Sequence, residues 1–183
     1  MRLETERLLL RIPEERDVDD YVEVYGDPEV MRFLGGRVAT REDVVAILER
    51  MRRHWERHGI GLFSVVRKED ECLLGRVGFL LWDSVRWVNA MRAELAGDLE
   101  LEIGWTLGSE HWSRGYATEA AVACRDLALG ELGRTRIVSL IDRDNAASIR
   151  VAEKIGETFE REIERPDLDY RQGLWSLGQR TAA

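Results

Sequence analysis

The 183-residue chain predicts an α+β domain built on one central mixed sheet. Three observations carry that expectation. Segments of strand and helix periodicity follow one another as strand, helices, three strands, helix, strand, helix and two strands. The length suits one domain, residues 1–183, with a core of its own. The composition, 44% hydrophobic and 34% charged, is that of a soluble globular chain.

The opening Leu3–Ile12 reads as a strand stopped by Pro13. Arg16–Tyr25 reads as a short helix with Val18, Tyr21, Val22 and Tyr25 on one face, ended by Gly26-Asp27-Pro28. A longer helix starts at Thr40, which forms a capping-box pattern with Asp43; it carries Val44, Ile47, Leu48, Met51 and Trp55 on one stripe and stops at Gly59. Ile60–Arg67 and Cys72–Trp82 are strands joined by the charged turn Lys68–Glu71. Asp83–Asp98 has no clean period and reads as a long connection, of a length that often carries function. In Leu99–Leu107 the odd positions are apolar, so Glu100, Glu102 and Thr106 share the opposite face. A helix follows from Tyr116 to Leu132, then a strand Thr135–Ile141, a helix Asn145–Ile155 closed by Gly156, and strands Thr158–Ile163 and Leu174–Leu177.

Several classes are disfavoured. The apolar run Val77–Trp82 is too short to span a bilayer, and the N-terminus lacks the layout of a signal peptide, so a cytoplasmic location and no membrane partner are expected. Cys72 and Cys124 stand alone and read as small core hydrophobes. A net charge of −8 argues against nucleic acid, which needs a basic face. His54 and His58 have metal-ligand spacing, but Glu56 is misplaced for a zinc-protease helix and no third ligand is evident, so no metal is expected and a solvated helix face is. Arg50, Arg52, Arg53 and Arg57 on the same helix read as solvated charges.

Chemistry concentrates in Glu102–Leu107 followed by Trp112-Ser113-Arg114-Gly115-Tyr116-Ala117-Thr118-Glu119-Ala120. A strand running into a glycine-containing turn that opens a helix aims backbone N–H groups and the positive helix end at one point, a nest suited to a pyrophosphate. Gly115 permits close approach, Ala117 keeps the first turn slim, and Arg114 adds a cation. The P-loop and dinucleotide glycine patterns are absent from the sequence.

This run resembles the coenzyme A pyrophosphate loop of GNAT acetyltransferases, especially the RimJ/RimL-like group. Asp144–Gly156 is similar to that family's later helix, and Leu3–Arg11 to the group's opening. The resemblance implies a single GNAT-type domain, its sheet mostly antiparallel and flanked by helices, with acetyl-coenzyme A as cosubstrate and no metal. It implies a cofactor site of Trp105, Thr106, Leu107, Ser113, Arg114, Gly115, Tyr116, Ala117 and Thr118, with Asn145 beside the pantetheine arm. Trp112 stands where the loop often has Gln or Arg, Ser113 where the group usually has Gly, and Glu157 where a Phe is common, its packing passing to Phe159. The Tyr that many members place near the leaving sulfur is Ala152 here.

The resemblance further implies direct transfer to an amine, and no Cys-His or Ser-His pairing in the sequence argues for an acyl-enzyme. Parity lets Glu100 or Glu102 accept the amine's proton, directly or through water; the family's Glu-Ile-Gly-aromatic strand points to Glu102. Ser148 is the candidate donor to the sulfur, or its orienting group. The family places the first helices on the acceptor side, and here Glu14–Glu29 carries eight carboxylates against Arg16. That stretch either attracts a cationic acceptor, such as a protein N-terminus or small polyamine-like molecule, or is only a solvated helix. A homodimer stays open. The rival reading is a catalytically silent acyl-coenzyme A binding or sensing domain.

Overall fold

The computed structural model describes residues 1–165 and 171–178. Within them, eight strands form one sheet: β1 (Arg2–Glu4), β2 (Leu8–Arg11), β3 (Leu62–Arg67), β4 (Leu73–Asp83), β5 (Leu99–Leu107), β6 (Arg136–Asp142), β7 (Thr158–Ile163) and β8 (Gln172–Gly178). Their order is β1-β2-β3-β4-β5-β6-β8-β7, and every neighbouring pair is antiparallel except β5 and β6. Five helices complete it: α1 (Val18–Gly26), α2 (Pro28–Met31), α3 (Arg41–His58), α4 (Tyr116–Leu129) and α5 (Ala146–Lys154). The mixed, mostly antiparallel sheet flanked by helices is thus the expected α+β architecture.

Strand alternation divides the core between the two faces of the sheet. Along β4, Val77, Phe79 and Leu81 join the cluster under α4, while Leu80 and Trp82 join the cluster under α1 and α3. The inner face of α4 is small, with Ala120, Ala121, Cys124 and Ala128 all fully buried, which lets the helix lie close to the strands. The capping box expected at the start of α3 forms: Thr40 Oγ1 accepts from Asp43 N at 3.2 Å, and Asp43 Oδ2 accepts from Thr40 N at 2.9 Å.

Several local expectations need correction. The opening strand is a hairpin, because Thr5 turns the chain by bonding to both Leu8 O and Leu8 N. Helix α4 ends at Leu129, three residues before Leu132, where Gly130 leaves helical geometry. His54 is not solvated: its Nδ1 meets Ile60 O at 2.8 Å, and burial pushes the imidazole down to about 4. Glu157, and not Phe159, takes the buried place after α5, while Phe159 lies exposed with its edge against Trp175. Glu157 reaches no hydrogen-bond partner among the described residues, the Ser139 hydroxyl being committed to Ile103 O at 2.8 Å. Burial raises its carboxyl to about 8, so it is mostly neutral near pH 7.

Candidate active site

Strands β5 and β6 pair at one register, Glu102 with Val138, and then part. Gly108 N donates to Leu74 O in continuation of the β4 ladder, so the even residues of β5 bond to β4. The odd residues therefore turn their amides toward the parted edge. Ile103 O faces that way, taking the Ser139 hydroxyl, and so do the N–H and C=O of Trp105 and the N–H of Leu107. An amide-bearing arm laid in the opening meets strand-like donors and acceptors.

Beyond β5 the chain makes a tight turn into α4. The Trp112 indole closes it by donating to Leu107 O at 2.8 Å. Gly115 is the N-cap of α4, left-handed at φ 81°, and brings no capping side chain to the first-turn N–H groups. The N–H groups of Tyr116, Ala117 and Thr118 have no acceptor within the helix and carry its positive end. A Cβ built on Gly115 would meet only Arg7 Nη2, at 3.4 Å, so the space in front of this backbone is open. These features fit a pyrophosphate. The groove in front of them measures about 430 Å3 and is lined by the expected Trp105, Thr106, Leu107, Ser113, Gly115 and Tyr116, together with Ala117, Thr118 and Asn145. Arg114 alone of the expected set lies off the groove wall; its side chain is exposed.

Arg7 braces this loop from the hairpin, a role the linear sequence did not reveal. Its Nη1 donates to Arg114 O at 3.0 Å, its Nε to Glu119 Oε2 at 2.6 Å, and its guanidinium lies 4.5 Å from the Tyr116 ring centroid. Thr5 Oγ1 and Arg7 N hold the other Glu119 oxygen. The only available hint was that Thr5-Glu6-Arg7 belongs to the family-like opening.

Ser113, standing where the group usually has glycine, has φ 60°. A left-handed L-residue costs roughly 1–2 kcal/mol, and glycine avoids this at some cost in unfolded-state entropy. Ser113→Gly is therefore expected to raise the melting temperature by about 2 °C, the worth of a fraction of a kcal/mol to about 1 kcal/mol in a domain of this size. A lower melting temperature would show that the Ser113 hydroxyl makes a stabilising bond.

A second cavity of about 330 Å3 opens on the other side of the parted strands. Phe33, Leu34, Trp105, Thr106, Asn145 and Ser148 line both spaces and mark their junction. Asn145 caps α5, its Oδ1 accepting from Ser148 N at 3.0 Å. Trp105 Nε1 donates to Ser148 Oγ at 3.1 Å, which occupies a lone pair and leaves the hydroxyl proton free to be given elsewhere. Ala152 is fully buried against Ile141 and Trp175 and lines neither space, so its position offers the reacting atoms nothing.

Glu102 is in the cavity wall, and Glu100 is not. Glu100 binds Arg136 Nε at 3.0 Å, and Arg136 also reaches Glu160. Glu102 is buried and accepts from Trp82 Nε1 at 2.6 Å. Burial raises its carboxyl above the ordinary range; the Trp82 bond and the charges of Arg165 and Arg76 pull the other way. A carboxylate of raised basicity beside a cavity is suited to accept a proton.

None of the carboxylates of the acidic stretch Glu14–Glu29 is in the wall of either space. Asp17 is buried and bound by Arg11, Ser64 and the Glu14 amide; burial would raise it, and these bonds outweigh that and hold it low. Asp19 pairs with Arg41, and Asp27 caps α2. In space, though not in sequence, Cys72 Sγ lies 3.9 Å from His111 Nε2. Cys72 lines neither space and burial raises its thiol, so the pair gives no support to an acyl-enzyme. No described helix is long and apolar enough to cross a membrane.

Comparison with known proteins agrees with this geometry. The protein is similar to the uncharacterized protein YkkB of Bacillus subtilis (strain 168), 32% identical over 90% of this chain and 89% of that one. It is 29% identical to the uncharacterized N-acetyltransferase YnaD of the same organism, over 85% and 82% of the two chains. Among solved structures, a GNAT-family acetyltransferase from Bacillus anthracis matches 97% of this chain and 98% of its own with a TM-score of 0.76 at 26% identity. The family model described as an acetyltransferase (GNAT) domain matches residues 7–158, and the chain belongs to the GNAT acetyltransferase family.

Proposed function

We propose that the protein moves an acetyl group from acetyl-coenzyme A to a primary amine by direct attack of the amine on the thioester. The observation that carries this reading is the junction itself: a groove with a helix N-terminus at one end meets a cavity containing a buried carboxylate, and Trp105 and Ser148 line both. The loop from Ser113 to Thr118 would hold the pyrophosphate, and the parted edge of β5 the pantetheine amides. The amine enters from the other side. Glu102 takes its proton, directly or through water, and the nitrogen forms its bond to the acetyl carbon as the carbon–sulfur bond breaks. Ser148, its lone pair held by Trp105, gives a proton to the leaving thiolate. The RimJ/RimL-like motifs keep a protein N-terminus among the acceptors, and two free cysteines suit the reducing cytoplasm.

The buried Ala152 supports a second reading, an acyl-coenzyme A sensor without turnover. A panel of peptides and small amines, incubated with acetyl-coenzyme A and followed by thiol detection, separates the two. Amine-dependent thiol release is expected. Cofactor binding without release from any amine would favour the sensor.

A further inference from the structure

We infer that the acceptor carries an anionic group, a carboxylate or phosphate on the same small molecule as its amine, and that Arg50 and Arg76 seat that group in the cavity beside Glu102. The amine half of this inference rests on the acetyltransferase reading above; the anion seat does not.

The cavity wall holds four guanidinium groups, Arg50, Arg76, Arg92 and Arg165, against two carboxylates, Glu102 and Asp142. They come from α3, from β4, from the connection before β5 and from the segment after β7, so no one stretch of sequence displays the cluster. Arg165 is already engaged, donating to Gln172 Oε1 at 2.9 Å and lying 4.7 Å from the Trp82 ring centroid. Arg76 has only a looser ring contact, 6.0 Å from the Tyr25 centroid, and Arg50 and Arg76 differ from Arg165 in their polar partners. Neither has a carboxylate within ion-pair distance among the described residues, and Arg76 Nε is closed off from solvent without an acceptor.

Other partly buried arginines here are matched at close range. Arg11 meets Asp17 at 2.6 Å, Arg67 meets Asp70 at 2.5 Å and Arg136 meets Glu100 at 3.0 Å. An arginine does not escape desolvation by losing its proton, so an unmatched guanidinium in a cavity wall favours an incoming anion. Its planar fork suits carboxylate and phosphate oxygens alike. The same wall repels a molecule bearing only positive charges. An amine tethered to an anion satisfies both ends: its nitrogen lies by Glu102 and the junction, and its anion by Arg50 and Arg76. A cavity of about 330 Å3 is of the size for a small molecule of this kind.

The test uses matched acceptors with and without the anion, an amino acid and its amide, and an aminoalkyl phosphate and the corresponding amino alcohol, with rates compared per unprotonated amine because the anion also raises the amine's pKa. The anionic member of at least one pair should have kcat/KM about ten- to hundredfold higher, the usual worth of charge-assisted hydrogen bonds. Which pair shows it identifies the anion. Arg76→Met, and separately Arg50→Met in case the first fails to fold, should bring the ratio within the pair toward one. Equilibrium binding of the same compounds by calorimetry, with coenzyme A present, reads the seat without turnover. Preferred binding of the anionic member without acetylation would uphold the seat and defeat the transferase reading. Equal binding of both members, or stronger binding of neutral amines and polyamines, would overturn the seat even if acetyl transfer occurs.

Discussion

Glu102→Gln is expected to lower the rate at saturating acetyl-coenzyme A by roughly a hundredfold to ten-thousandfold near neutral pH, the usual worth of a positioned base. The substitution keeps the shape of the side chain and an oxygen for the Trp82 indole, which donates at 2.6 Å, so the pocket should survive it. Cofactor affinity should barely move, because Glu102 lines the cavity and not the groove. The raised carboxyl sets the sign of the pH dependence. A base acts deprotonated, so the wild-type rate should climb as pH rises through the elevated pKa of Glu102. The variant should lack that limb, and its deficit should shrink as pH approaches the pKa of the acceptor amine, where free amine needs no assistance. Glu100→Gln serves as a contrast, since its carboxylate is tied to Arg136 and lies outside the cavity. A Glu102→Gln rate within about threefold of wild type at neutral pH would exclude this residue as the base.

Gly115→Val is expected to remove the stabilisation that acetyl-coenzyme A gives the fold. A ligand that binds only the native state adds about 2.7 kcal/mol at a hundredfold excess over its dissociation constant, and the wild type should show a melting shift of that origin. The space before Gly115 is open apart from Arg7, so a side chain there stands where the pyrophosphate would meet the backbone. Valine at φ 81° also strains the loop and should lower the melting temperature of the free protein. Gly115→Asn separates the two effects, because asparagine tolerates the left-handed conformation and still adds bulk. If Gly115→Asn melted like wild type and kept the full cofactor shift, close backbone approach at this position would be disproved.

The sequence displayed the parts of the site that are local. Strand parity in 99–107 put Glu102 opposite the core-facing Ile103, and the turn through Gly115 announced a helix N-terminus within a few residues of the strand. What it hid depends on distance along the chain. The Arg7–Glu119 brace joins positions 112 apart, and periodicity has no access to such a pair. Arg50 looked like one more charge on a basic helix, yet α3 turns it into a cavity whose other arginines come from three separate segments. Composition left the acidic stretch Glu14–Glu29 open between an acceptor surface and a solvated helix; in the fold Asp27 caps α2, while Asp17 and Asp19 pair with Arg11 and Arg41. The buried His54 was misread because its partner is a backbone carbonyl, Ile60 O, which no residue pattern encodes.

Direct transfer across the junction is tested by following the acetyl group itself. Acetyl-coenzyme A labelled in the acetyl group is mixed with the protein and a competent amine, and mass spectrometry follows the label on amine and on protein through a single turnover. The account predicts label on the amine in step with free thiol, with none held on the protein at any time. Label accumulating on the protein before it reaches the amine, on Cys72 or any other side chain, would contradict it.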